Sequence, residues 1–318
     1  MTIRQITIIG TGLIGGSFGL AVKKRGFKGR IVGCDRVPVL KQARALGAID
    51  DAQTDPATAF KGSQLVLLAT PVGTIIELIR SLGPSLPAQT LLADVGSTKA
   101  EVVACATATF GRQAGRRFLA GHPMAGKEQA GVEGADADLF QGAVWFVTPV
   151  PGQNMLAGLS GEFLDWVEKT GAQVAGMNPD AHDQLCSWIS HLPQFISTAL
   201  AATLVDEYGE DAPLLQTGGR ALREMTRISG SPYSMWRDVA LTNKKNIRHA
   251  LLRLEQRLAH IRENLDTKEL ALEFERAHHL RKSQLQKKTS PQRREVTEKV
   301  KTVRPRPSAV SPQSRKAR

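Results

Sequence analysis

The stretch ITIIGTGLIGGS, residues 6–17, decides the fold. A short apolar run ends at Ile9, Gly10, Gly12 and Gly15 follow as G-x-G-x-x-G, and a helical pattern continues to Lys24. Each glycine has a physical use. Gly10 permits a tight turn, Gly12 lets the backbone approach a pyrophosphate, and Gly15 lets the helix close on the strand. Leu13 and Ile14 lie inside the turn, where the helix start presents free N–H groups to a phosphate. A second apolar run, RIVGCD at 30–35, ends in Asp35, twenty residues after Gly15. That carboxylate is placed to accept from both hydroxyls of an adenosine ribose and to repel a 2′-phosphate, which favours NAD over NADP. Arg36 beside it pulls the other way, since a guanidinium tolerates a phosphate. A purely structural glycine turn is the alternative; strand, spacing and Asp35 together favour the dinucleotide.

Outward from this turn the same alternation repeats. LVLLATP (65–71), TLLADVGS (90–97), RFLAGHP (117–123) and VWFVTP (144–149) are apolar throughout, as strands buried on both faces are. Helix-like stretches separate most of them, which predicts a mostly parallel, doubly wound α/β sheet of the Rossmann type. In such sheets the carboxyl ends of the strands line the ligand cleft. Thr70 and Pro71 therefore fall near a nucleotide ribose, and Ser97 and His122 share the same edge. A histidine at a strand end is equally a satisfied structural group; the nearness of Ser97 favours chemistry.

After about residue 177 the strand-like runs stop. A long helical pattern starts near Asn178 or Asp180, with Pro179 in its first turn. Further helices are predicted over 212–228 and 235–278. Val239, Ile247, Leu251, Leu254, Leu258, Ile261 and Leu265 form one apolar stripe on the last. That stripe either packs on its own domain or forms a dimer seam. The expected organisation is a nucleotide-binding domain over 1–177, an all-α domain over 178–280 and a basic tail over 281–318.

The net charge of +12 sits almost wholly in that tail, which holds thirteen basic and two acidic residues and leaves +1 for the first 280. Rich in Pro, Ser and charge, it reads as a solvated, disordered extension rather than a nucleic-acid arm. No apolar run reaches the ~18 residues a membrane helix needs, and no signal-peptide pattern opens the chain. Three cysteines, Cys34, Cys105 and Cys186, suit a reducing cytoplasm and make no CxxC site. Seven histidines show no HExxH motif or His/Cys cluster, so no structural metal is expected.

The motifs GTGLIGGS, DVGSTK, GHPMAGKEQAGV, SHLPQ and MTRISGSPYSMWRD, in this order over residues 5–265, resemble the prephenate/arogenate dehydrogenases of tyrosine biosynthesis. The resemblance implies a nucleotide-binding domain, a helical domain that forms a homodimer, and a site between them. It implies NAD-dependent oxidative decarboxylation of prephenate to 4-hydroxyphenylpyruvate. His122 matches the catalytic histidine that takes the ring-hydroxyl proton. Ser97 matches the serine that fixes that hydroxyl or the histidine. Arg227 matches the arginine that clamps a substrate carboxylate, and Glu128 an acid at the cleft mouth. Trp236 matches an aromatic of the pocket wall, His191 a supporting residue, and Lys99 a source of positive potential near a carboxylate.

Read without the resemblance, Arg227 caps a helix or pairs with Asp238 or Glu224, Glu128 is a solvated loop acid, and Trp236 is core. Many family members carry a second histidine where this chain has Gln194. Gln194 donates to a carboxylate but offers none to the ammonium of arogenate, so prephenate is favoured and arogenate is the alternative. The tail is too short and polar for the ACT module of some members. Other readings are a different NAD(P)-dependent dehydrogenase of the same core, and a non-catalytic NAD-sensing or nucleic-acid-binding protein.

Overall fold

The computed structural model describes residues 2–127, 131–209 and 217–289. Eight strands, β1 (Gln5–Ile9), β2 (Arg30–Cys34), β3 (Asp51–Gln53), β4 (Leu65–Leu68), β5 (Leu91–Asp94), β6 (Phe118–Pro123), β7 (Val144–Thr148) and β8 (Gln173–Gly176), form one sheet in the order β3-β2-β1-β4-β5-β6-β7-β8. Every pairing is parallel except β6 with β7, which is antiparallel. The apolar runs are buried on both faces for a simple reason. Ile6 and Ile8 join one core with Phe18, Trp145 and Phe163, while Ile9 joins another with Leu68, Ile75 and Phe118. The alternate residues of one strand thus feed two separate cores.

Helices α1 (Leu13–Lys24), α2 (Val37–Ala45), α3 (Pro56–Ala59), α4 (Val72–Leu82), α5 (Ala100–Phe110), α6 (Ala114–Arg117) and α7 (Gly158–Lys169) cover the sheet. The strand order reverses between β1 and β4, the place where such sheets open a ligand crevice. The register levels the edge there: Ile9 pairs with Cys34 and Leu68, and Leu68 with Asp94. Gly10, Asp35, Ala69 and Val95 consequently leave the sheet side by side.

The helical part follows β8. Asn178 caps α8 (Pro179–Cys186) by accepting from the N–H groups of Asp180 and Ala181. The predicted long helix is then interrupted by a π turn, Ser187–His191, before α9 (Leu192–Tyr208). Pro193 has no N–H to give the preceding turn, so the wider turn absorbs the mismatch. The helix predicted over 212–228 is reduced to Arg220–Thr226 with a 3₁₀ turn Arg227–Gly230, residues 212–216 lying outside the described residues. The helix predicted over 235–278 is three helices, Tyr233–Thr242, Lys244–Glu263 and Lys268–Thr289. The last runs nine residues into the stretch assigned to the tail.

Two carboxylates dock this part on the sheet domain. Neither α4 nor α5 has a side-chain cap of its own at its first residue. Asp183 on α8 accepts from the N–H groups of Lys99 (2.7 Å) and Ala100 (2.9 Å) at the start of α5. Asp238 accepts from Gly73 N–H (2.9 Å) at the start of α4. A negative group at a helix N-terminus is favoured by both the open donors and the helix dipole. Of the apolar stripe, Val239 and Ile247 are buried within the chain, whereas Leu258 and Leu265 are 55% and 63% exposed. Among the described residues no helix is long and apolar enough to cross a membrane.

Candidate active site

The glycine turn has the form its spacing predicts. Gly10 sits at φ 94°, and a Cβ there would come within 2.5 Å of the Ala69 carbonyl. A Cβ on Gly15 would lie 2.0 Å from the Gly10 carbonyl, so the helix can approach the strand only without one. Gly12 is different: a Cβ there meets nothing within 4 Å, and it caps α1 with no side chain of its own. The start of α1 therefore faces open space with its donors uncommitted, which fits a pyrophosphate. The Asp35 carboxylate accepts from Thr11 N–H (2.8 Å) and Arg36 N–H (2.7 Å), which fixes it against the turn. Arg36 itself is exposed at the N-cap of α2.

From this turn a cavity of about 510 Å³ runs to the helical part. Leu13, Ile14, Thr70, Pro71, Ser97, His122, His191 and Trp236 all line it, although their sequence positions span more than two hundred residues. Thr70 Oγ1, His191 Nε2 and Trp236 Nε1 are buried polar atoms with no hydrogen-bond partner among the described residues. Three orphaned polar groups around one cavity are what a polar ligand would satisfy.

His122 lies near the end of β6 and is buried. Its Nδ1 lies 2.9 Å from His182 Nε2, and His182 Nδ1 lies 2.9 Å from Asp183 Oδ1. The protons along this row follow from its end. A carboxylate only accepts, so His182 carries its proton on Nδ1 and presents a bare Nε2. His122 must then donate from Nδ1, which leaves the lone pair on Nε2. His122 is thus set as an acceptor, and it borders the cavity. Ser97 borders it as well; no hydrogen bond joins Ser97 to His122 among the described residues.

Burial, aided by His182, Lys99 and His191, pushes the His122 pKa well below the ordinary 6.5. Burial also lowers His182, against the upward pull of Asp183, and brings His191 down to about 4. Unfolding returns each ring to its ordinary value, so below about pH 6.5 the unfolded chain binds protons that the fold refuses. Stability is therefore complete above that pH and drains as pH falls, for His191 down to about pH 4. The slope is about 1.4 kcal/mol per pH unit for each ring that stays neutral. Urea midpoints should drop steadily between about pH 7 and pH 5; a flat midpoint would show that these rings titrate normally in the fold.

Other predicted residues stand elsewhere. Lys99 is fully buried and ion-paired with the fully buried Asp94, beneath the loop that carries Ser97. It is no direct contact for a substrate carboxylate: its ammonium is paired with Asp94, whose pKa burial raises and Lys99 restrains, and its charge reaches the cavity only as a potential felt at His122. Gln194 is buried outside the cavity lining and donates to Ile228 O (2.9 Å) and Thr198 Oγ1 (3.2 Å), tying α9 to the turn 227–230. Arg227 is on that turn, exposed and outside the lining, four residues before Ser231, which does line the cavity. Glu128 lies outside the described residues. His191 Nδ1 is 3.2 Å from Asn243 Nδ2, which also donates to Asp183 O (2.7 Å). With Nδ1 accepting, His191 holds its proton on Nε2 as a donor.

Two family models match the chain: the nucleotide-binding domain of prephenate dehydrogenase over residues 18–175, and its dimerization domain over residues 178–278. This chain belongs to the prephenate dehydrogenase family. The prephenate dehydrogenase of Bacillus subtilis is 36% identical over 254 residues, 76% of this chain, and that of Lactococcus lactis 33% identical over 250. The chain spans 65% of the length of each of these two relatives. A crystal structure of prephenate dehydrogenase from A. aeolicus in complex with hydroxyphenyl propionate and NAD+ superposes with a TM-score of 0.77 at 30% identity. That match covers 90% of this chain and 98% of the other.

What the sequence reading of this family member missed is the support behind His122. The segment NPDAHDQLC, residues 178–186, shows a helix start in the sequence, yet it also carries His182, Asp183 and Cys186. The available signal was spacing: His182 and Cys186, four apart, share one helix face.

Proposed function

We propose that this chain oxidises prephenate with NAD⁺, releasing carbon dioxide and 4-hydroxyphenylpyruvate, as a cytoplasmic homodimer in tyrosine biosynthesis. The observation that carries the reading is the bare Nε2 of His122 on a cavity that begins at the glycine turn. Gly10, Gly12, Leu13, Ile14 and Gly15 hold the pyrophosphate, and Asp35 takes the adenosine ribose. Thr70 and Pro71 border the other ribose. Bound there, NAD⁺ supplies the hydride acceptor.

The protein has little bond-making of its own to do. His122 Nε2 accepts the proton of the ring hydroxyl as that carbon is oxidised. The proton enters a ring whose Nδ1–H is braced by His182 and Asp183. Ser97 orients the hydroxyl. His191 Nε2–H and Trp236 Nε1–H donate to a substrate carboxylate and so lose their orphaned state. Carbon dioxide then leaves as the ring becomes aromatic, a step that needs only a dry, shaped cavity.

Two observations support prephenate over arogenate. No acidic side chain lines the cavity among the described residues, so none of these offers a carboxylate to the ammonium of arogenate. Lys127 does line it, paired at 3.0 Å with Asp136, and a cation suits a dicarboxylate. Arg227 adds a second cation from the turn beside Ser231. Arg227→Ala should raise the KM for prephenate about tenfold with kcat little changed, the size of one lost carboxylate contact; an unaltered KM removes it from the substrate. The half-exposed stripe through Leu258 and Leu265 supports the dimer. The reading as a whole is tested by steady-state kinetics with prephenate and arogenate crossed with NAD⁺ and NADP⁺. Prephenate with NAD⁺ should give the largest kcat/KM, and silence toward both acids would end it.

A further inference from the structure

Behind His122, on the side away from the cavity, three ligand-type atoms converge. His122 Nδ1 and His182 Nε2 are 2.9 Å apart, and Cys186 Sγ lies 3.4 Å from the second and 3.9 Å from the first. All three residues are buried. The hydrogen-bonded row behind His122 is built from the two rings and Asp183, and the thiol stands beside it. Cys34 and Cys105 are buried elsewhere in the sheet domain, so Cys186 is the one cysteine of the chain beside a histidine pair.

We propose that His122, His182 and Cys186 form a binding site for a soft divalent cation of the zinc class, and that filling it switches His122 off as a base. The donor set is two imidazoles and a thiolate, which suits zinc and its neighbours. Tetrahedral zinc bonds of roughly 2.05 Å to nitrogen and 2.3 Å to sulfur separate the donors by roughly 3.3 Å (N to N) and 3.6 Å (N to S). The three measured separations each lie within about half an ångström of those values. The supporting shell is already present, because His182 donates its other ring proton to Asp183 as metal-bound histidines commonly do. Asp183 also adds a negative charge to offset the ion. Three protein ligands leave a fourth position for water.

The consequence for His122 follows from counting protons. The ion takes the place of the Nδ1 proton. A neutral ring keeps one proton, which moves to Nε2 through the water of the cavity. Nε2 turns from acceptor to donor and no longer removes a proton from anything. His182 Nε2 is already bare, and the Cys186 thiol, held protonated by burial, gives up its proton to become the thiolate. One proton leaves per ion bound, and no electron moves. The switch, though not the site, rests on the assignment of His122 as the base.

Cobalt(II) added to the metal-free protein is the test, since a thiolate ligand gives cobalt an intense charge-transfer band that histidines alone do not. One ion per chain should bind with that band and release one proton in weak buffer. Cys186→Ser should lose the band. Cys34→Ser/Cys105→Ser, with Cys186 as the sole thiol, should keep it. No thiolate band in the wild-type protein, or a band that survives in Cys186→Ser, overturns the site whatever the variants' stability. One equivalent of zinc should lower kcat about 10²-fold with KM unchanged, and a chelator should restore it. Full turnover in the zinc-loaded protein overturns the switch. Absence of turnover in the metal-free protein strikes at the proposed reaction instead, and the cobalt spectrum still decides the site.

Discussion

His122→Asn should lower kcat by about 10²-fold or more and leave NAD⁺ affinity unchanged. The size is that of a lost general base. Asparagine is chosen because its amide can still donate to His182 Nε2, as His122 Nδ1 does, so the row of hydrogen bonds behind it survives. What disappears is the lone pair on the cavity side. The glycine turn and Asp35 are untouched, which is why cofactor binding should hold. The pH profile gives a second reading of the same event. Burial keeps the ring neutral well below the ordinary histidine value, so the acid limb of wild-type kcat should lie below about pH 6.5. That limb should vanish in the variant. Turnover at the wild-type level would show that the proton leaves by another route.

The nucleotide side of this site was legible in the sequence because its logic is local. Gly10 is required by its positive φ and Gly15 by its contact with the Gly10 carbonyl, Gly12 leaves the space in front of the helix open, and Asp35 follows the neighbouring strand. His122 and Ser97 were legible one step further out. Each follows a buried apolar run, and in a parallel sheet such runs end on one edge. The rest depends on contacts between distant segments. His182 reaches His122 across sixty positions, and nothing in the helix start around it announces that. Lys99, two positions after a site serine, suggests a charge presented directly to the substrate. Only the packing shows that Asp94, five residues earlier, holds it in the interior. Gln194 sits where the family motif suggests a substrate contact, but its amide serves Ile228 O and Thr198 instead. The breaks at Asn243 and Pro193 were missed for the same reason. Asn243 looks like an ordinary helical position until its amide is seen on Asp183 O.

Asp183→Asn tests whether the row behind His122 works as a unit. The carboxylate accepts three N–H groups at once, from His182, Lys99 and Ala100. An amide has one oxygen and one NH₂ and cannot repeat this. If its nitrogen faces His182, the ring must accept at Nδ1 and carry its proton on Nε2. His122 is then obliged to accept at Nδ1 and to hold a proton on the cavity side, which removes the base without touching it. If instead the nitrogen faces the start of α5, two donors oppose each other in the interior. Either arrangement leaves a buried group unsatisfied, at a cost of about 1–3 kcal/mol in stability. Turnover should fall by about 10²-fold or more, the penalty of a wrong tautomer added to a loosened cap. Asp238→Ala separates the two effects. It removes the corresponding cap from α4, at about 1 kcal/mol, and leaves the imidazole row intact. Equal loss of stability in both variants, with turnover collapsing only in Asp183→Asn, assigns the carboxylate to the proton path. Equal turnover in both would reduce Asp183 to a strut between the helical part and the sheet.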